Sequence, residues 1–231
     1  MNEIENSFDF EIDDFDIDIE GFDIDNKIVS RIHKPKLFKP RKDIQVKFKD
    51  AKKLADEIDL SVTPRVDCLI NGSFIFGDFL EAFIVKNNIK CKKMVVSTLS
   101  LNENNIDSFR TLLEKNYIDD LTLIVSDYFF SHERNNLIKY AYEELDIDNK
   151  FQLAVARTHT KICFFETLGG KKIVTHGSAN LRTSDNIEQF TIEINESLYD
   201  FYNDFHGQII ETYKTINKSV RNAEITKIFN T

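Results

Sequence analysis

Thr158-His159-Thr160-Lys161 anchors the chain's most informative pattern, and Thr175-His176-Gly177-Ser178-Ala179-Asn180 with Asn186-Ile187-Glu188 completes it. As a pattern it is H-x-K, then G-S-x-N, then N-x-E, set among short β-like runs. A histidine can attack a phosphodiester phosphorus as a nucleophile. A lysine ammonium and an asparagine amide can hold the non-bridging oxygens where negative charge builds up. Alternation predicts the geometry: along a single strand from Gln152 to Phe165, His159 and Lys161 lie two apart and face the same way. Both then reach one phosphate. The glycine pair in Leu168-Gly169-Gly170-Lys171 predicts a tight hairpin, which makes Ile173–Thr175 the antiparallel neighbour of that strand.

Outward from this hairpin the chain alternates in type. Strands are predicted at Val66–Ile70, Lys93–Leu99, Leu121–Ser126 and Phe190–Ile194. Helices are predicted at Phe48–Leu60, Phe76–Lys86, Ile106–Lys115, Glu133–Leu145 and Leu198–Ile216. Alternating βα units imply a parallel sheet with helices on both faces, here ending in antiparallel strands. The fold class is therefore α/β: a mixed sheet flanked by helices on both faces, with an extended N-terminal tail.

The three motifs in this order resemble the phospholipase D superfamily, over roughly residues 60–217 and most strongly from 157 to 194. The resemblance implies a phospholipase D-like mixed sheet. It makes His159 the nucleophile or its acid partner, Lys161 and Asn180 the phosphate ligands, Ser178 a supporting hydroxyl and Glu188 the carboxylate that orients a histidine. Two departures stand out. The family usually has Asp five residues after the Lys, where this chain has Glu166, and six residues between that acid and Gly-Ser, where this chain has ten. An even number of added residues lengthens a hairpin without turning side chains to the other face. Of His33, His132, His159, His176 and His206, only His159 is followed by x-Lys. Chemistry of this kind needs one histidine to attack and another to protonate the leaving oxygen. A chain with one motif thus resembles the short members that pair across a two-fold axis, each chain giving half of one site. No metal and no cofactor is then implied.

Composition sets the remaining bounds. With 231 residues, 42% of them apolar and 20 of them Phe, the chain can bury a sizeable core. No apolar run approaches the ~18 residues of a membrane span, and the first residues are acidic rather than basic, so a soluble, unexported, cytoplasmic protein without membrane contact is expected. Cys68, Cys91 and Cys163 sit in apolar runs without paired spacing, which suits a reducing compartment. The net charge of −9 is unevenly spread. Residues 1–26 hold eleven acids and no base; residues 27–53 hold eleven bases against Asp43 and Asp50. This asymmetry points to an anionic partner such as nucleic acid.

Three units divide the chain: an acidic repeat tail at 1–26, a basic arm at 27–47 and a catalytic domain at 48–231. The tail repeats every seven residues from Phe8, Phe15 and Phe22, with apolar residues and acids alternating at period two. It reads either as a disordered tail or as a docking segment, residues 8–25, that adds a strand to a partner or to its own body. In the arm, Pro35 and Pro40 block regular structure. Lys34, Lys36, Lys39, Arg41 and Lys42 around Phe38 suit a phosphate backbone, or simply form a solvated linker.

Other constellations carry less. Gly72 to Asp78 has the glycine spacing of a phosphate loop but no lysine, and reads as a strand-to-helix turn. His132-Glu133 lacks the second histidine of a zinc-protease helix and reads as a surface helix start. His159, Cys163, Glu166 and His176 would need Cys163 out of the core to bind zinc. Function is less determined than fold. The leading expectation is a metal-independent nuclease that cleaves DNA or RNA through a phosphohistidine at a site shared by two chains. The alternatives are a non-catalytic nucleic-acid-binding or assembly protein and, less favoured, a phospholipase.

Overall fold

The computed structural model describes residues 45–48, 51–70, 74–182 and 186–214. The tail repeats, the arm residues Lys34, Lys36, Lys39, Arg41 and Lys42, and Gly72 lie outside the described residues.

Eight strands form one mixed sheet in the order β1-β2-β8-β7-β6-β3-β4-β5. They are β1 (Gln45–Phe48), β2 (Arg65–Ile70), β3 (Cys91–Thr98), β4 (Leu121–Ser126), β5 (Phe151–Ala156), β6 (Ile162–Thr167), β7 (Lys172–Gly177) and β8 (Glu188–Ile194). Six helices are described: α1 (Ala51–Glu57), α2 (Phe76–Lys86), α3 (Glu103–Glu114), α4 (Asp127–Glu133), α5 (Leu137–Leu145) and α6 (Glu196–Tyr213). β3, β4 and β5 run parallel, as do β1 and β2; β2, β8, β7, β6 and β3 are antiparallel to their neighbours in turn. The expected mixed sheet with helices on both faces is present.

Local sequence explains the central elements. β4 is buried at all six positions, as a strand covered on both faces must be. α2 buries Phe76, Phe79, Leu80, Phe83 and Ile84, a single helical stripe. Its phenylalanines gather with Phe74 around Phe190 of β8, with ring centroids 4.9 to 6.1 Å from Phe190. The opposite face of the sheet offers Val95, Ile124, Ala154, Phe164 and Val174 to Tyr199 of α6. Phe164 meets the Tyr199 ring edge-on at 5.5 Å.

Four expectations are corrected. The run Gln152–Phe165 is not one strand: β5 is the edge of the sheet and β6 lies three places inward, so residues 157–161 form the crossing between them. Hydroxyls hold that crossing out of the ladder. Thr158 Oγ1 accepts from Thr160 N–H at 3.1 Å, and the Thr160 hydroxyl shares hydrogen bonds of 2.7 Å with Thr158 and with Ser97 at the end of β3. The helix expected at Glu133–Leu145 is two helices, and His132 stands in the last turn of α4 instead of opening a helix. Ser126 starts α4 early by accepting from Phe129 N–H. The helix expected at Phe48–Leu60 is confined to Ala51–Glu57. The sheet itself begins at Gln45, inside the stretch read as arm, where β1 pairs in parallel with β2.

Candidate active site

The strand directions place the carboxyl ends of β2, β3, β4, β5 and β7 and the amino ends of β6 and β8 on one edge. Open α/β sheets bind ligands at such an edge. The three sequence motifs arrive there from β6, β7 and β8.

β6 and β7 form the expected antiparallel hairpin, with Ile162 opposite His176 and Glu166 opposite Lys172. Gly170 closes it at φ 80°. The longer hairpin keeps its motif-bearing end in register: Gly177 N–H donates to Lys161 C=O at 3.2 Å. Ser178 follows and is fixed three ways. Its N–H donates to Gln189 C=O at 2.9 Å, its Oγ accepts from Gln189 N–H at 3.0 Å, and its hydroxyl donates to Glu188 Oε2. The carboxylate acceptor makes this a charge-assisted bond.

Lys161 precedes β6 and is half-buried. Burial pulls its ammonium below the usual lysine range, opposed by the charge of Glu188. A lysine in the field of a carboxylate and partly stripped of water is a strong ligand for an incoming phosphate oxygen. Its Nζ donates to His159 C=O at 2.8 Å, which folds the backbone of the crossing over the lysine. His159 is exposed, and its ring makes no hydrogen bond among the described residues. Asn180 comes two residues after Ser178, and its Oδ1 is buried without a hydrogen-bond partner among the described residues.

Of the five residues expected here, Lys161, Ser178 and Glu188 are thus brought together by contact or charge. His159 and Asn180 are tied to them through two-residue chain segments. His159 and Lys161 do not share the face of a strand; they share a loop.

Glu166 is elsewhere. It lies on β6 five residues beyond Lys161, about 17 Å at strand rise, opposite Lys172; burial raises the Tyr199 phenol, and the charge of Glu166 adds to that. The imagined zinc set is dispersed as well. Cys163 is wholly buried with its thiol pushed far up by burial, while its strand neighbours Ile162 and Phe164 face α6. Among the described residues no group of three or more His, Cys, Asp or Glu is placed to hold a metal ion. His176 is not in the motif contacts; its Nε2–H donates to Glu193 Oε1 at 3.2 Å, and Asn195 Nδ2 donates to the other oxygen at 3.0 Å. Burial raises the Glu193 carboxyl, and these two donors with the charges of His176 and Arg65 bring it below its usual range.

Sequence reasoning missed the buried side chain of Asn105, which reaches the Leu181 carbonyl after Asn180, and the burial of His206 within α6. For Asn105 the signal was the Asn102-x-x-Asn105 capping box.

No family model matches the chain, and no curated protein does. Solved structures do. Nuc from Salmonella typhimurium, a phospholipase D family member, is 13% identical, with 57% of this chain and 85% of that chain covered at a TM-score of 0.41. NucT from Helicobacter pylori is 11% identical, covering 65% and 98% at a TM-score of 0.46. An archaeal chromatin protein, TrmBL2, described by its novel mode of DNA binding, is 8% identical, covering 69% of this chain and 56% of that chain at 0.47.

The chain is similar in structure to phospholipase D superfamily members. At overlaps of this size the likeness concerns the fold alone and carries no argument about activity. Among the described residues no helix is long and apolar enough to cross a membrane.

Proposed function

We propose that the chain is a metal-independent phosphodiesterase, a nuclease that cleaves DNA or RNA at a site shared by two chains. One observation carries this reading: Lys161, Ser178 and Glu188 converge at the edge that also holds His159 and Asn180. Lys161 and Asn180 hold the non-bridging oxygens of the phosphate. An imidazole nitrogen of His159 attacks phosphorus, the N–P bond forms and the P–O bond to the leaving nucleotide breaks. The same histidine of a second chain gives its proton to the leaving oxygen. Water then attacks the phosphohistidine, passes a proton to that second histidine, and the N–P bond breaks. Ser178 and Glu188 keep the edge in shape and supply the carboxylate that orients a histidine. The basic arm, Lys34 to Lys42, adds contacts to the nucleic-acid backbone that weaken with salt.

One observation favours a second reading, a non-catalytic nucleic-acid-binding protein: among the described residues no hydrogen bond fixes the His159 ring. One assay separates the two. The full chain is incubated with single- and double-stranded DNA and RNA in excess EDTA, and products are resolved on a gel. Cleavage is expected, together with an acid-labile phosphoryl adduct on His159. Binding without cleavage supports the second reading. Activity lost on chelation and restored by zinc or magnesium overturns the metal-independent mechanism.

A further inference from the structure

The carbonyl oxygen of Leu181, the residue after Asn180, accepts two hydrogen bonds from distant parts of the chain. Gly77 N–H in the first turn of α2 donates at 3.1 Å, and Asn105 Nδ2 in α3 donates at 3.2 Å. Asn105 is wholly buried. Its Oδ1 accepts from Asn102 N–H at 3.0 Å, completing the α3 capping box. A capping box asks only for that acceptor, which Glu or Gln usually supplies. A buried asparagine that also donates to a residue 76 positions away does a second job. Gly77 makes room for it: a Cβ at position 77 would lie 2.5 Å from Asn105 Nδ2.

The second job concerns Asn180. Its own side chain has no hydrogen bond among the described residues, with Oδ1 buried and unpartnered. Among the described residues, the contacts that set its position are those of the backbone on either side. Ser178 is tied to Gln189 on one side, and Leu181, itself buried, is clamped by Gly77 and Asn105 on the other. We propose that Asn105, with the Gly77 backbone N–H, is the positioning residue that aims the Asn180 amide at a bound phosphate. This rests on the assignment of Asn180 as a phosphate ligand. Asn105 touches no substrate; it acts through Leu181.

The test compares Asn105→Asp, Gly77→Ala and Asn102→Ala in the full chain, with inorganic phosphate as the probe. Asn105→Asp keeps the shape and the acceptor for Asn102 N–H, but sets an acceptor against the Leu181 carbonyl. Gly77→Ala displaces the Asn105 amide by contact alone. Asn102→Ala removes the α3 cap and leaves the clamp. In Asn105→Asp and Gly77→Ala, phosphate binding is expected to weaken about tenfold, the scale of one lost buried hydrogen bond. The Asn180 side-chain amide resonances should shift in the same two variants. In Asn102→Ala the thermal midpoint falls and phosphate binding holds, which a merely structural role for Asn105 would not give. A folded Asn105→Asp or Gly77→Ala that binds phosphate as wild type does, with Asn180 resonances unmoved, overturns the proposal. So does a wild-type chain that binds no phosphate. A wild type that binds phosphate and cleaves nothing, with binding still lost in the two variants, removes the nuclease reading and leaves the clamp standing.

Discussion

A Cβ on Gly177 would stand 2.2 Å from the carbonyl oxygen of Gln189, so β7 and β8 meet beside Ser178 only because position 177 has no side chain. Gly177→Ala must part the two strands where Ser178 holds Glu188. Both stability and cleavage are expected to fall, stability by about 1–3 kcal/mol as for other overpacked sites. Urea midpoints and cleavage rates on one preparation check this. An alanine variant with wild-type activity would show that the Ser178–Glu188 contact is dispensable.

His159 and His176 should separate cleanly. His159→Ala is expected to abolish cleavage and Lys161→Ala to reduce it severely. His176→Ala should keep most activity while losing stability, about 1–3 kcal/mol for the buried Glu193 oxygen left without its donor. Full activity in His159→Ala would end its assignment as nucleophile.

Each chain brings one His159, so the proposed site needs two chains. Sedimentation should show a dimer. Mixing His159→Ala chains into wild type should lower activity more steeply than dilution does. A fully active monomer contradicts the shared site.

His206 sets a pH dependence. Burial lowers its imidazole from 6.5 to about 4, with Nδ1–H donating to Tyr202 C=O at 2.8 Å and Nε2 without a partner among the described residues. The folded pKa lies below the unfolded one, so the unfolded chain binds the proton more readily. The stability tied to the neutral ring is present above pH 6.5, declines as pH falls from 6.5 to 4, and is gone below that. Over this window it amounts to about 3 kcal/mol. Urea midpoints at pH 7 and 4.5 should converge for His206→Phe relative to wild type. Equal slopes in the two proteins would refute the assignment.

The acidic tail and basic arm adjoin in sequence, so under the proposed function the tail is expected to compete with nucleic-acid phosphates at high effective concentration. Deleting residues 1–26 should tighten nucleic-acid binding at low salt, by roughly 1–2 kcal/mol for a few released contacts. The gain should shrink as salt rises. Unchanged low-salt affinity would favour the tail, residues 8–25, as a docking segment for a protein partner, sought by pull-down with the isolated tail.

Much of this architecture was legible because its signals are local. Phe76–Lys86 and Leu121–Ser126 fall where helical spacing and an unbroken apolar run put them. Strand order was not legible, since the placement of β7 and β8 between β2 and β6 depends on pairings far apart in sequence. The split between β5 and β6 escaped because threonines favour strands and loops alike; the hydroxyl bonds of Thr158 and Thr160 decide it only in three dimensions. Lys161, Ser178 and Glu188 were marked out by the resemblance of the H-x-K, G-S-x-N and N-x-E runs, and their meeting at one edge comes from the pairing of β6, β7 and β8. For Asn105 the sequence showed only the capping box with Asn102; that local explanation hid its reach to Leu181.

The crossing from β5 to β6 also behaves as a strap of limited length. It passes over β4 and β3, three strand spacings or about 14 Å, and the six Cα steps from Ala156 to Ile162 reach at most about 20–22 Å. Removing two residues would leave a reach of about 13–14 Å, too short to follow any path over the strand ends. The segment carrying His159 and Lys161 can therefore gain residues but hardly lose them. The sheet order itself sets a lower bound on how compact this motif can become.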